Sequence, residues 1–350
     1  MLCGKEILQQ HMNKNISYSI LDLATVLEGH SAADSFNNSL RLAKQAEQLG
    51  YTRYWFAEHH NMAGVASSAT AVLIGYIAGN TNTIRVGSGG IMLPNHAPLI
   101  IAEQFGTLAS LYPERIDLGL GRAPGTDQLT ALEIRGANFG AEHNFSKDIQ
   151  KLQTFFSAEN KDGKVRAIPG EGLDIPMWIL GSSTDSAMVA AAMGLPYAFA
   201  SHFAPVQFIS AIHLYRQNFQ PSAVLKEPYV MACVNVVAAD TDEEANSLAT
   251  SVQQLISGVV SGRRKLLQPP VTDMSNIWTE AEAYQVKQML AYSFTGSRKK
   301  IETNMQLFLE KTGVNEIMAT SHIYDQDARL HSYKIFAEVM KNMQVQNAEQ

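Results

Sequence analysis

The sequence predicts an α/β chain folded as a (β/α)8 TIM barrel with insertions after strands 4 and 7, on three observations. Strand-like and helix-like patterns alternate along the 350 residues, eight strands in all, and that length suits the fold. The stretch 83–125 shows the repeating unit most plainly. Its TIRVGSGGIML suits a strand buried on both faces, and Ile116, Leu118 and Leu120 alternate at the strand period of two. Between them Ile100, Ile101, Phe105 and Leu108 recur at the spacing of an amphipathic helix. Such a strand–helix–strand unit demands a crossover and parallel strands. The third observation concerns the rival, a doubly wound open sheet. No Gly-x-Gly-x-x-Gly follows the first strand, which counts against it.

The elements follow in order. The first strand is Ile16 to Leu21. Ser31 then opens a helix, with Asp34 in the reciprocal capping position. Phe36, Leu40, Ala43, Ala46 and Leu49 form its apolar stripe, and Gly50 ends it. The second strand, Arg53 to Ala57, runs into Glu58-His59-His60, and a helix over Ser67 to Asn80 leads to strands three and four. From Thr126 to Asp174 the connection is longer than usual, with a helix near Phe145 to Phe156. Pro176 to Leu180 is the fifth strand, followed by Gly181-Ser182-Ser183 and a helix of small residues ending at Gly194. Tyr197 to Ala200 is the sixth strand and Tyr229 to Ala238 the seventh, with a helix over Val206 to Phe219 between them. Asp240 to Leu255 reads as a helix capped by Thr241, and Ser257 to Phe294 as an irregular insertion. A helix over Ser297 to Lys311, the eighth strand Glu316 to Thr320 and a last helix from Asp327 to Met340 close the chain. These make one domain over residues 16–345. Residues 1–15 share no pattern with it, and the His11-Met12 pair resembles a cloning junction, so this extension is set apart.

Composition narrows the function. The formal charge is −6 and the basic residues are not clustered, which argues against nucleic acid. Cys3 and Cys233 are too few for a disulfide framework or a cysteine-rich metal site. No run of eighteen apolar residues and no signal-peptide core is present. The expectation is a soluble cytoplasmic protein that does not enter a membrane.

A barrel places its active site at the C-terminal ends of the strands. Those positions hold His59 and His60 after strand two, His96 after strand three and Arg122 after strand four. Ser182 and Ser183 follow strand five, His202 strand six and His322 strand eight. Five of the ten histidines fall in these short windows, which points to a polar pocket at one mouth of the barrel. A metal site is not expected: the first strand ends in Leu21-Asp22 rather than His-x-His, and the side chains of the adjacent His59 and His60 diverge. Arg122 with Ser182-Ser183 suits an anion. A guanidinium grips phosphate oxygens through two parallel bonds, and the helix behind Gly181 offers unpaired N–H groups. A plain helix cap and an Arg122–Asp127 pair are the bland alternatives.

Together these residues resemble the bacterial luciferase-like flavin monooxygenases. The marks are Trp55-Phe56-Ala57-Glu58-His59-His60, Val86-Gly87-Ser88-Gly89-Gly90 running to Leu93-Pro94, Arg115 through Arg122 (RIDLGLGR), Leu180-Gly181-Ser182-Ser183 with Gly194-Leu195-Pro196, and Thr295-Gly296-Ser297. The resemblance covers nearly the whole chain from Ser17 and is greatest to the enterobacterial luciferase-like group, named by sequence rather than by an assayed reaction. It implies a barrel that binds FMN, with the phosphate held by Arg122, Ser182 and Ser183 and with Ser186 as a further candidate. It implies reduced FMN delivered by a separate flavin reductase, reaction with O2, and oxygenation of a small organic substrate. His59 matches the family's catalytic histidine, with His60 ranked second. A non-proline cis peptide against the flavin ring is expected at Ser88–Gly89, and a homodimer through helices on one side of the barrel. The cysteine that true luciferases carry before the arginine is Gly121 here, so light emission is not implied. A deazaflavin-dependent oxidoreductase and a flavin-binding protein without turnover stay open as alternatives.

Overall fold

Eight runs of alternating or continuous apolar residues, each too short to bury itself alone, pair edge to edge until no edge is left. In the computed structural model, which describes residues 16–136, 139–140 and 143–348, they are β1 (Ser17–Asp22), β2 (Arg53–Phe56), β3 (Arg85–Ser88), β5 (Ile116–Gly121), β6 (Met177–Gly181), β7 (Tyr197–Phe199), β8 (Val230–Ala239) and β10 (Glu316–Thr320). Every pairing is parallel, and β10 closes the ring by pairing with both β1 and β8. The expected (β/α)8 barrel is the fold. The proposed extension, residues 1–15, lies outside the described residues.

Helices α1 (Ala32–Gln48), α2 (Thr70–Ala78) and α3 (Pro98–Leu111) cover the first three crossovers. The Ser31–Asp34 capping box forms as the sequence implies: Ser31 N–H donates to the Asp34 carboxylate at 2.8 Å, and Asp34 N–H to Ser31 Oγ at 3.2 Å. The insertion after β5 carries α4 (Gln128–Arg135) and α5 (Phe145–Phe156). Then come α6 (Thr184–Met193), α7 (Phe208–Asn218) and α8 (Asp242–Val260). The second insertion is more ordered than its sequence suggests. It contains α9 (Glu280–Met289), started by a Thr279–Glu282 capping box, and β9 (Ser293–Ser297). Helices α10 (Arg298–Thr312) and α11 (Gln326–Ala348) complete the chain. Among the described residues no helix is long and apolar enough to cross a membrane.

Two departures shape the mouth of the barrel. The expected third strand is broken into β3 and β4 (Ile91–Met92), both paired with β5. Strand β8, which pairs with β7 at its start, is long enough for two further partners: Met231–Asn235 pair with β10, and Asn235–Ala239 pair with β9 beyond the barrel.

Leu21, Trp55, Trp178, Met231 and Met318 pack inside the barrel, and a larger apolar cluster fills the space between strands and helices. The opposite, N-terminal end holds charges. Arg53, the first residue of β2, donates to Asp117 at 2.7 Å and to Glu316 at 2.8 Å, with its guanidinium 4.7 Å from the Trp178 ring centre. Arg85 also grips Asp117, at 2.6 and 2.9 Å, and Trp55 Nε1 donates to it at 3.0 Å. Both carboxylates are fully buried.

Candidate active site

Strand β2 delivers Glu58, His59 and His60 to the C-terminal mouth, where the side chain of His59 parts from the other two. Glu58 turns inward and is buried. Its Oε1 accepts from His60 Nε2 at 2.9 Å and from His96 Nε2 at 2.8 Å, and its Oε2 from Met92 N–H at 3.2 Å. Burial alone would raise its pKa, but these bonds outweigh that and hold the carboxyl at about 2. Glu58 thus ties the loop after β2 to the loop after β4.

His59 goes the other way. Its Nδ1 lies 3.2 Å from the Gly125 carbonyl oxygen, which can only accept, so Nδ1 carries the proton and Nε2 the free lone pair. Burial lowers its pKa from the ordinary value, and the Gly125 bond and the Glu58 charge offset this only in part. The ring is therefore neutral near pH 7. Two further histidines border this region. Burial pushes His202 down to about 3 and His322 down to about 4, and their Nδ1 atoms are buried without a hydrogen-bond partner.

Arg122 lies at the exposed end of β5, with its guanidinium 3.3 Å from the Asp185 carboxylate in the first turn of α6. The alternative Arg122–Asp127 pair does not form, because Asp127 caps α4 through the Thr130 amide at 3.0 Å. The structure thus brings Arg122 to the N-terminus of α6, as the anion reading requires. Ser183 is the N-cap residue of α6, yet its hydroxyl makes no capping bond. Thr184 N–H is taken by Gln207 at 3.0 Å. Ser182 is exposed beside this terminus. Ser186 faces inward: its Oγ donates to the Ser183 carbonyl at 2.7 Å and shares a bond with the Tyr197 hydroxyl at 2.9 Å.

Ser88 is likewise occupied. Its buried hydroxyl donates to Gly119 O at 2.8 Å and accepts from Gly119 N–H at 3.0 Å. These bonds keep Ser88 in the regular strand, and the Gly89 N–H continues the ladder to Phe56 O at 2.7 Å. The non-proline cis peptide is accordingly one residue later than expected, at Gly89–Gly90 rather than Ser88–Gly89. Both positions are crowded, and Gly90 meets backbone. A Cβ on Gly89 would lie 2.7 Å from Leu21, and one on Gly90 2.8 Å from the Gly119 carbonyl.

Sequence reasoning passed over Arg135. Asn95 Nδ2 donates to Pro124 O at 2.7 Å, and Asn95 Oδ1 accepts from Arg135 Nε at 3.0 Å. The oriented guanidinium borders a cavity of about 400 Å³ that also touches Arg122, Phe139 and Phe145. It belongs to an insertion without a motif, so nothing nearby in the sequence marks it.

An FMN-type group fits this end of the barrel. Its phosphate would meet the Arg122 guanidinium and the first-turn amides of α6 other than that of Thr184, which Gln207 takes, and its ring would have a side-chain-free glycine pair to approach.

Residues 16–317 match the family described as luciferase-like monooxygenase. A protein of that name from Escherichia coli strain K12 is 50% identical over 331 residues, covering 95% of this chain and 99% of its own. The crystal structure of apo-MsnO8 superposes with a TM-score of 0.82 at 31% identity, covering 94% of this chain and 98% of that one. Two solved structures share the fold alone. One is the oxygenating constituent of 3,6-diketocamphane monooxygenase from Pseudomonas putida in complex with FMN, with a TM-score of 0.69 at 15% identity, covering 93% of this chain and 97% of that one. The other is an F420-dependent secondary alcohol dehydrogenase, with a TM-score of 0.66 at 13% identity, covering 93% of this chain and 98% of that one. The chain is a member of the luciferase-like monooxygenase family.

Proposed function

We propose that the protein is an FMN-dependent monooxygenase that accepts reduced FMN from a separate flavin reductase in the cytoplasm and places one oxygen atom of O2 on a small organic substrate. The observation that carries this reading is the meeting of Arg122 with the N-terminus of α6, whose N-cap residue Ser183 makes no side-chain capping bond. When bound, reduced FMN supplies the electrons for oxygen activation. Arg122 and the α6 amides hold its phosphate, with the exposed Ser182 and the half-buried Ser183 beside them. His59 offers a neutral imidazole whose Nε2 can take a proton. Trp55 and Trp178, with ring centres 5.3 Å apart, fill the barrel beneath and keep water out from below. Reduced FMN, O2 and a panel of organic substrates, followed by 18O incorporation into product, test the reaction. Rapid peroxide release with no labelled product for any substrate would favour a flavin-binding protein without turnover, and binding of F420 in place of FMN the deazaflavin reading.

The phosphate assignment has its own test. Arg122→Ala is expected to weaken FMN binding about tenfold or more, since a charge-assisted bidentate contact contributes roughly 1.5–3 kcal/mol. Lysine should restore it only in part, lacking the planar fork. Equal FMN affinity in wild type and alanine variant by fluorescence titration would remove Arg122 from the site.

The homodimer is proposed on α2 and α3. Of these neighbouring helices α2 is apolar almost all round, and large apolar side chains stand exposed on both, Val72 at 70% and Leu111 at 63%. A helix of that kind is normally covered. Sedimentation is expected to show a wild-type dimer and a monomeric Val72→Asp/Leu111→Asp variant. A monomeric wild type would refute the dimer.

A further inference from the structure

We propose that Glu58, His60 and His96 form a binding site for a divalent transition-metal ion of the zinc class. The adjacent His59 and His60 diverge, as their spacing implies, so neither ligates with the other. His60 instead meets His96, brought from the loop after β4, across the Glu58 carboxylate. One ligand atom from each of the three lies within 4.8 Å of the others. The convergence joins loops that follow two different strands, so chain spacing gives no sign of it.

Donor chemistry selects the ion. Two imidazole nitrogens and one carboxylate oxygen suit Zn2+, Co2+, Ni2+ or Fe2+, whereas Mg2+ and Ca2+ prefer all-oxygen shells. Three protein ligands with an open position is a common zinc arrangement. Bonds of about 2.0–2.2 Å put tetrahedral ligand atoms roughly 3.3 Å apart. Glu58 Oε1 is now 2.9 Å from His60 Nε2 and 2.8 Å from His96 Nε2. An ion therefore needs only a small outward movement of the two rings, each of which then keeps its proton on Nδ1.

The surroundings are built for this. The Met92 amide holds the second oxygen of the Glu58 carboxylate. Such outer bonds orient ligands and strengthen metal binding. The backbone of His60 is fixed by Thr126 Oγ1, which donates to its carbonyl at 3.0 Å, and that of His96 by its N–H bond to Leu93 O at 3.0 Å. Both rings are partly open, at 18% and 26% side-chain exposure, and His96 borders a cavity of about 560 Å³ through which an ion can enter. The competing state is the hydrogen-bonded tie itself, with both Nε2–H groups donating to Oε1.

The test needs no flavin. Chelator-treated full-length protein is titrated with Zn2+ by calorimetry and with Co2+ in the visible spectrum, with Mg2+ as control. The expected result is one ion per chain, Co2+ bands of a nitrogen- and oxygen-ligated site, and no response to Mg2+. His96→Ala and Glu58→Gln should each weaken Zn2+ binding at least tenfold, and Zn2+ should raise the melting temperature of wild type but not of His96→Ala. Circular dichroism of each variant establishes that it is folded. If either variant fails to fold, His60→Gln takes its place, with the same loss expected. Absence of saturable Zn2+ uptake by wild type would leave only the hydrogen-bonded tie and overturn the proposal. So would uptake unchanged in the folded variants, which would place the ion elsewhere.

Discussion

Replacing His59 with alanine is expected to leave the fold and FMN affinity intact and to lower oxygenation by about 10²–10⁴-fold, the usual worth of a positioned acid or base. The Gly125 carbonyl fixes the proton on Nδ1 and leaves Nε2 as an acceptor. Because burial lowers the pKa, the ring carries less charge than a free imidazole at the same pH. Alanine removes the acceptor but deletes only one hydrogen bond to a loop, so the barrel has little to lose. The measurement is labelled product per folded molecule, alongside melting temperature and FMN titration. Wild-type turnover in a stable His59→Ala protein would reduce His59 to a loop anchor. A joint fall in melting temperature and flavin binding, with activity per folded molecule retained, would do the same.

The largest stability effect is expected at the other end of the barrel. Arg53→Met should cost about 3–5 kcal/mol, the usual penalty for stranding a buried charge. Asp117 would keep Arg85 as its cation. Glu316 would keep only the Ser19 and Tyr229 hydroxyls, in a fully buried position. Burial works against the Arg53 charge, but Glu316 and Asp117 more than compensate and raise its pKa further. Adding Glu316→Gln to Arg53→Met should recover part of the loss, because the stranded charge is gone. Urea denaturation of the two variants decides it, and a loss under about 1 kcal/mol for Arg53→Met would mean the network is slack. Neither variant should alter the FMN affinity of the molecules that remain folded, since Arg53 opens β2 and His59 follows its end.

Local pattern made the barrel legible. Each strand and crossover helix carries its own periodicity, and parallel strands with helices between them leave few ways to close. The capping box at Ser31 and the position of Glu58-His59-His60 after a strand are local too, and they read correctly. What failed was long-range. The β3–β4 break needs Ser88 locked to Gly119, a partner 31 residues away. Arg135 reaches the mouth only through Asn95, and Glu58 collects histidines from two loops. The Thr279–Glu282 signal for α9 was present in the sequence but hidden inside a stretch that looked irregular as a whole.

The double pairing of β8 bears on how such a protein can change over generations. Its outer half, Asn235–Ala239, holds β9 by a ladder of its own, and Asp242 accepts from Ser297 N–H at 2.7 Å. The segment between α8 and β9 is therefore clamped at its base, like a bead on a closed ring. Doubling the length of such a segment adds only about 0.6 kcal/mol of closure entropy. Descendants can lengthen, shorten or rewrite the rim of the barrel there while Met231–Asn235 keep their registry with β10. Novelty in what the molecule accepts can accumulate at that hinge point without renegotiating the scaffold.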